Sequence, residues 1–276
     1  MANQVLIYDG KTWVDRTPQV FDGSTWRAAT PLYWDGAEWR TGAPPPREFP
    51  SYAGNASSLV SGDVAELPVP ADVRTGDLVV SVCAQQGGAA LPSPLLAPAG
   101  VLPTVYTLRS GVRLLVAVWP WEPSRGATTV WDTAGSTTTA VMNLLYRGGD
   151  TASVSLTPVV GITEHPGVNQ VPLDASQDYT TLYAVLTVSD TLTGAAWPDG
   201  VIPRAQRLGR FGAQQISLMT ADTPGAGASP GALRLDTTVE TAAVAVITIP
   251  GRSDGRPTWI LGDDRASVLG TTTYLE

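Results

Sequence analysis

Arg113-Leu114-Leu115-Val116-Ala117-Val118-Trp119 carries a single charge, and Ala242-Ala243-Val244-Ala245-Val246-Ile247-Thr248-Ile249 carries none. Glycine or proline stands close outside each run: Gly111 and Pro120 around the first, Pro250-Gly251 after the second. Short continuous apolar runs bounded by turn formers read as strands buried on both faces. Leu78-Val79-Val80-Ser81-Val82-Cys83-Ala84 has the same texture. No long stretch shows apolar residues at a 3.6-residue period, and with 28 Gly and 23 Pro the chain is punctuated throughout. The expected class is all-β with little helix.

Working outward, the features of one half return in the other. Leu67-Pro68-Val69 matches Val171-Pro172-Leu173, 104 positions on. Asp77–Val82 aligns with Thr181–Leu186, and Val130-Trp131-Asp132-Thr133 with Arg234-Leu235-Asp236-Thr237, at the same offset. Thr139–Leu145 is aligned with Ala243–Ile249. A duplicated unit of about 100 residues with short strands suits a β-sandwich, immunoglobulin-like or jelly-roll. Two tandem sandwiches are therefore expected, at 51–152 and 153–250. Residues 251–276 read as a C-terminal tail able to add an edge strand or pair with a neighbouring subunit.

The N-terminus has a different, shorter repeat. Tyr8-Asp9-Gly10-Lys11-Thr12-Trp13 recurs as Phe21-Asp22-Gly23-Ser24-Thr25-Trp26 and as Trp34-Asp35-Gly36-Ala37-Glu38-Trp39. Pro18, Pro31 and Pro44 keep the same spacing. Asp-Gly between aromatic residues signals a hairpin. A four-residue loop sets Tyr8 against Trp13, Phe21 against Trp26 and Trp34 against Trp39. Each such cross-strand pair contributes roughly 0.2–1 kcal/mol. The prolines are expected in the connections between hairpins, where the missing N–H costs no ladder bond. Units this short cannot bury a core alone, so they must stack on each other or on a partner. Residues 1–43 thus read as a tandem hairpin attachment segment, with Tyr8, Trp13, Phe21, Trp26, Trp34 and Trp39 as docking residues. Residues 44–50, opening with Pro44-Pro45-Pro46, form a semi-rigid linker.

Composition limits the function. The formal net charge of -8 argues against a nucleic-acid binder, which needs a basic footprint. No apolar run reaches the length of a membrane-spanning helix, so no membrane insertion is expected. The start, Met-Ala-Asn-Gln, lacks the basic and apolar segments of a signal peptide. The single cysteine, Cys83, excludes an intrachain disulfide framework and reads as a small core residue. The basic residues are arginine apart from Lys11, a bias typical of a GC-rich genome.

Catalytic parts are scarce. The one histidine, His165, precedes a proline near the expected domain junction, and no Gly-x-Ser-x-Gly elbow accompanies it. One His and one Cys do not make a structural zinc site. Asp263-Asp264 would point to opposite faces of a strand, unlike a glycosidase pair roughly 5–10 Å apart. Asp9, Asp22 and Asp35 read as turn residues that cap their own backbone. No enzyme activity, cofactor or metal is expected. Trp119 and Trp121, at a strand end, are candidate sugar-stacking residues.

Tandem aromatic-Asp-Gly-x-x-Trp hairpins, a proline-rich linker and Gly/Ala/Thr-rich sandwiches with almost no lysine resemble the minor tail proteins of tailed phages that infect actinobacteria. Thr75-Gly76-Asp77-Leu78-Val79-Val80 and Val118-Trp119-Pro120-Trp121 add to the resemblance. It implies a structural virion component of the tail or tail tip, assembled in the host cytoplasm and homo-oligomeric. Other virion proteins would be its partners, with a cell-surface glycan as a further candidate. Two other readings remain: a capsid decoration or head-fibre protein, and a carbohydrate-binding module.

Overall fold

The computed structural model describes residues 5–8, 13–16, 19–21, 24–28, 30–34, 39–41, 50–87, 96–97, 101–149, 160–174, 180–211, 214–223, 230–249 and 260–262. Among them the protein is all-β with several antiparallel sheets, and the one helical element is a 3-10 turn at Pro123–Arg125. The chain divides into two compact units, residues 1–47 with 253–276, and residues 48–252.

The first unit contains three hairpins. Strands β1 (Val5–Tyr8) and β2 (Trp13–Arg16) pair antiparallel, as do β3 (Gln19–Phe21) and β4 (Trp26–Ala28), and β5 (Thr30–Trp34) and β6 (Trp39–Thr41). The free side of β5 receives the last of the described strands, Ile260–Gly262, with Ile260 opposite Leu32. The tail thus adds a third strand to the third hairpin. A three-stranded ribbon gains ladder bonds that a lone hairpin, marginal in water, lacks. Pro31 differs from expectation: it lies inside β5, opposite Leu261, and not in a connection. At the start of a strand a missing N–H is tolerated. Pro18 and Pro44 fall outside the described residues.

The second unit runs β7 (Ser51–Val60), β8 (Val64–Pro68), β9 (Leu78–Gly87), β10 (Leu96–Ala97), β11 (Thr104–Thr107), β12 (Arg113–Pro120), β13 (Thr128–Asp132) and β14 (Ser136–Arg147). It continues with β15 (Val160–Leu173), β16 (Thr180–Val188), β17 (Ala195–Ala196), β18 (Ile202–Phe211), β19 (Gln214–Thr223) and β20 (Gly231–Ile249). The strand of the tail, Ile260–Gly262, is β21. One sheet has the order β11-β12-β9-β14-β7 and another β15-β20-β16-β19-β18, while β17 pairs with β20. Read from the opposite edge, the second order matches the first strand for strand. β10-β13-β8 form a separate three-stranded layer.

The offset of 104 is visible in the registers. Leu67 lies opposite Thr129, and Val171 opposite Leu233. The long strands β15 and β20 each do the work of two strands in the first half: β15 spans the counterparts of β7 and β8, and β20 those of β13 and β14. One alignment needs correction. The even residues Ala140, Met142, Leu144 and Tyr146 face the same core as the odd residues Ala243, Ala245, Ile247 and Ile249. Thr139–Leu145 therefore corresponds to β20 with an odd offset, not 104, because a one-residue slip moves every side chain to the other face. The first half makes a turn between β13 and β14, where the Ser136 N–H donates to the Thr133 carbonyl at 2.8 Å. β20 runs through without one.

The two expected sandwiches are not separate bodies. The largest core cluster takes Leu78, Val80, Val82, Leu114, Val116 and Leu144 from the first sheet. From the second it takes Leu182, Leu186, Ile216, Leu218, Ile247 and Ile249. The two large sheets therefore pack face to face across residues from both halves. Each outer face has its own cluster. Ala65, Leu67 and Trp131 cover Val79, Cys83, Leu115 and Val141 on one side. On the other, Val171, Leu173, Leu233 and Leu235 cover Tyr183, Val185 and Val244. Burial on both faces is what the continuous apolar runs require.

Two buried polar groups tie these layers together. The Trp131 indole N–H donates to the Ser81 hydroxyl at 3.0 Å. The Asn143 amide donates to the Pro68 carbonyl and to the Thr129 hydroxyl, each at 2.9 Å, tying the three-stranded layer to the sheet beneath.

Candidate functional site

In the first unit the register sets Tyr8 opposite Trp13, Phe21 opposite Trp26 and Trp34 opposite Trp39. All three hairpins therefore share one register, with four positions between the paired aromatics. Among the six docking residues only the side chain of Trp26 is described, and it is 67% exposed. The whole segment Ser24–Ala28 is exposed. An exposed indole on a short hairpin is a large apolar surface with one polar edge, suited to a contact that is dry on one side.

Trp119 and Trp121 both pack on the core of the second unit. Trp119 lies in the core and is 3% exposed, so it cannot stack on a sugar; that expectation is corrected by its burial against the three-stranded layer. Trp121 packs on the same cluster, and its indole N–H donates to the Gly126 carbonyl at 2.9 Å. The Trp121 backbone N–H donates to the Asp77 carbonyl at 2.7 Å. The indole bond thus serves the turn after β12, while the backbone bond extends the pairing of β12 with β9.

One set of converging charged groups in the second unit lies between its two large sheets. Arg204 on β18 makes a bidentate pair with Asp222 on β19, at 2.9 Å from Nε and 2.8 Å from Nη2. Tyr146 on β14 donates its hydroxyl to the same carboxylate at 2.8 Å. The Arg204 guanidinium sits 4.2 Å over the Tyr52 ring, and that ring meets Tyr146 edge-on. Asn55 donates to the Tyr52 hydroxyl and, at 3.1 Å, to the Arg204 carbonyl. Burial pushes the Tyr146 phenol well above its ordinary pKa, and the Asp222 charge and hydrogen bond push the same way. Burial opposes the Arg204 charge, yet pairing with Asp222 outweighs it and raises the pKa. A phenol held neutral and a guanidinium held charged are set for structure, not for proton transfer.

A second set lies nearer the opposite edges. Glu164 on β15 accepts from the Tyr106 hydroxyl at 3.2 Å, the Arg109 backbone N–H at 3.1 Å and the Thr241 hydroxyl at 3.0 Å. A third is confined to the first half. Asp77 accepts from Arg147 Nη2 at 2.9 Å and from the Arg74 backbone N–H at 3.0 Å.

None of Tyr52, Tyr146, Glu164, Arg204 and Asp222 stands out in the sequence by motif. The available signal is a lone carboxylate, Asp222, closing the uncharged stretch Ile216–Ala221. His165 sits on β15 opposite Ala242. Burial raises the pKa of Cys83 well above the ordinary thiol value, which makes it a poor nucleophile. Among the described residues no three His, Cys, Asp or Glu side chains gather as metal ligands, and no helix is long and apolar enough to cross a membrane. Asp9, Asp22, Asp35, Asp263 and Asp264 lie outside the described residues.

Comparison with known proteins gave no matching family, no matching curated protein and no matching solved structure.

Proposed function

We propose that the chain is a structural component of a bacteriophage virion, a minor tail or tail-tip protein. In this reading residues 1–43 dock on other virion proteins through the aromatic hairpins. Residues 48–252 form a rigid, duplicated sandwich body that projects from the particle and reaches the host surface. The observation that carries the reading is the threefold recurrence of one hairpin register, Tyr8 with Trp13, Phe21 with Trp26 and Trp34 with Trp39, together with the exposed indole of Trp26. Repeated identical contacts suit a repetitive lattice better than a single soluble ligand. The charged groups described in the body support this role, since they hold sheets together.

Imaging purified particles by cryo-electron microscopy tests the proposal. Density for this chain at the tail or tail tip is the expected outcome. Density on the capsid lattice would make it a decoration protein. Absence from every particle would sink the virion reading. Burial of Trp119 removes one of the two tryptophans on which the carbohydrate-binding alternative rested.

A further inference from the structure

We infer that the inner faces of the two large sheets form a heterotypic, subunit-like interface, on which Tyr146, Asp222 and Glu164 admit the opposite half of the chain and reject a copy of the same half. This goes beyond the virion proposal and does not depend on it.

The two sheets have the same strand order, and their apolar inner faces are interchangeable in kind. Leu78, Val80, Val82 and Ala84 line β9, as Leu182, Ala184, Leu186 and Val188 line β16. Such faces alone would allow either half to pair with a copy of itself, within one particle or between two chains. Apolar burial is non-directional and does not choose.

The polar groups break the symmetry. Asp222 belongs to β19, whereas the matching strand β12 presents Leu114, Val116 and Val118 to the core. Tyr146 belongs to β14, whereas the matching part of β20 presents Ala243, Ala245, Ile247 and Ile249. If two first halves paired, Tyr146 would meet β12 and bury its hydroxyl without an acceptor. The second set gives the same result. Glu164 belongs to β15, whereas its counterpart β7, Ser51–Val60, contains no carboxylate. In that wrong pairing the Tyr106 hydroxyl and the Arg109 N–H would both lose the acceptor they now share. Two second halves would leave Glu164 with only Thr241 of its present donors. Tyr146 and Asp222 are buried, and a buried polar group without a partner is costly, so this pair acts against the wrong pairing as well as for the right one; Glu164 and Tyr106 are half-buried and add a smaller bias.

Further bonds run only between unlike halves. Thr180 donates to the Pro50 carbonyl at 2.9 Å, and Arg207 donates to the Ser57 carbonyl at 3.0 Å. The latter also covers an outward carbonyl of β7, a strand of ten residues without charge or proline.

The test uses the full chain with a protease site inserted between residues 150 and 159 and then cleaved. The expected result is that both fragments elute as one folded body. After separation of the fragments in denaturant and joint refolding, native mass spectrometry should show the 1:1 pair of unlike fragments and no like pairs. Separation of the fragments under native conditions, failure to re-form the unlike pair, or like pairs in comparable amount would each overturn the inference. In the cleaved Tyr146→Phe/Glu164→Gln protein, like pairs should rise by about tenfold relative to the unlike pair. An unchanged ratio would show that these residues do not select the partner.

Discussion

The Tyr146 hydroxyl donates to the Asp222 carboxylate at 2.8 Å, joining facing sheets through residues 76 positions apart in the chain. Arg204 holds both oxygens of the same carboxylate. The relationship turns two apolar surfaces into a specified interface, and it also makes a stability prediction.

Tyr146→Phe keeps the ring against Tyr52 and removes only the hydroxyl. Hydrogen bonds to charged acceptors contribute about 1.5–3 kcal/mol, and the variant should lose that much. Asp222→Ala should lose more, roughly 3–5 kcal/mol, because the Arg204 charge is left largely buried without its partner. Urea unfolding reads both: the midpoint should fall while the slope holds. Equal midpoints for wild type and Tyr146→Phe would show that the bond has no net value.

Stability should fall at alkaline pH. Tyr146 is raised well above the ordinary value of 10.0, and burial also raises Tyr106 and Tyr183. A group whose folded pKa is raised contributes its full share below the unfolded pKa and loses it as pH climbs toward the folded one. The window therefore opens near pH 10 and continues upward. Urea midpoints measured from pH 8 to pH 11 should decline above 10, and less steeply in Tyr146→Phe. Parallel curves for the two proteins would refute the assignment to Tyr146.

Trp119→Ala should destabilise the second unit by about 3–5 kcal/mol, as expected for a fully packed aromatic side chain. Trp121→Ala should cost less, since its ring is partly exposed, even though it loses one hydrogen bond. Neither folded variant should differ from wild type on a glycan array. A glycan signal lost specifically in Trp121→Ala would restore a sugar-binding role to that residue.

Replacing Trp13, Trp26 and Trp39 together with Ala should abolish incorporation into particles while residues 48–252 stay folded. Immunoblots of purified particles and circular dichroism of the free protein provide the two readouts. Mutant particles carrying normal amounts of the chain would end the docking proposal.

Deleting residues 253–276 removes β21 from the edge of β5. Limited proteolysis should then cut within residues 1–47 faster than in the intact chain, with the 48–252 fragment unaffected. Unchanged cleavage would mean that the third hairpin holds its structure without the tail.

The strands were legible because their signals are local. Arg113–Trp119 and Ala242–Ile249 read as buried strands, and β12 and β20 lie inside their sheets, not at an edge. The aromatic-Asp-Gly repeat carries its own register, since loop length and side-chain period together set Tyr8 opposite Trp13. The 104-residue offset survives in the pairing of Leu67 with Thr129 and of Val171 with Leu233. The site was harder to read. Trp119 at a strand end looks the same in sequence whether its ring faces solvent or core, and only the layer of β8, β10 and β13 decides that it is buried.

By itself the sequence determined the all-β class, the hairpin geometry and the doubling of the strand pattern, because turn chemistry and a two-residue period act over a few positions. Tertiary structure alone decided that both halves share one core, that the tail returns to the first unit, and that Tyr146, Arg204, Asp222 and Glu164 meet between sheets. Apolar faces attract without direction, so their partner is fixed only when distant polar groups are brought close enough to satisfy one another.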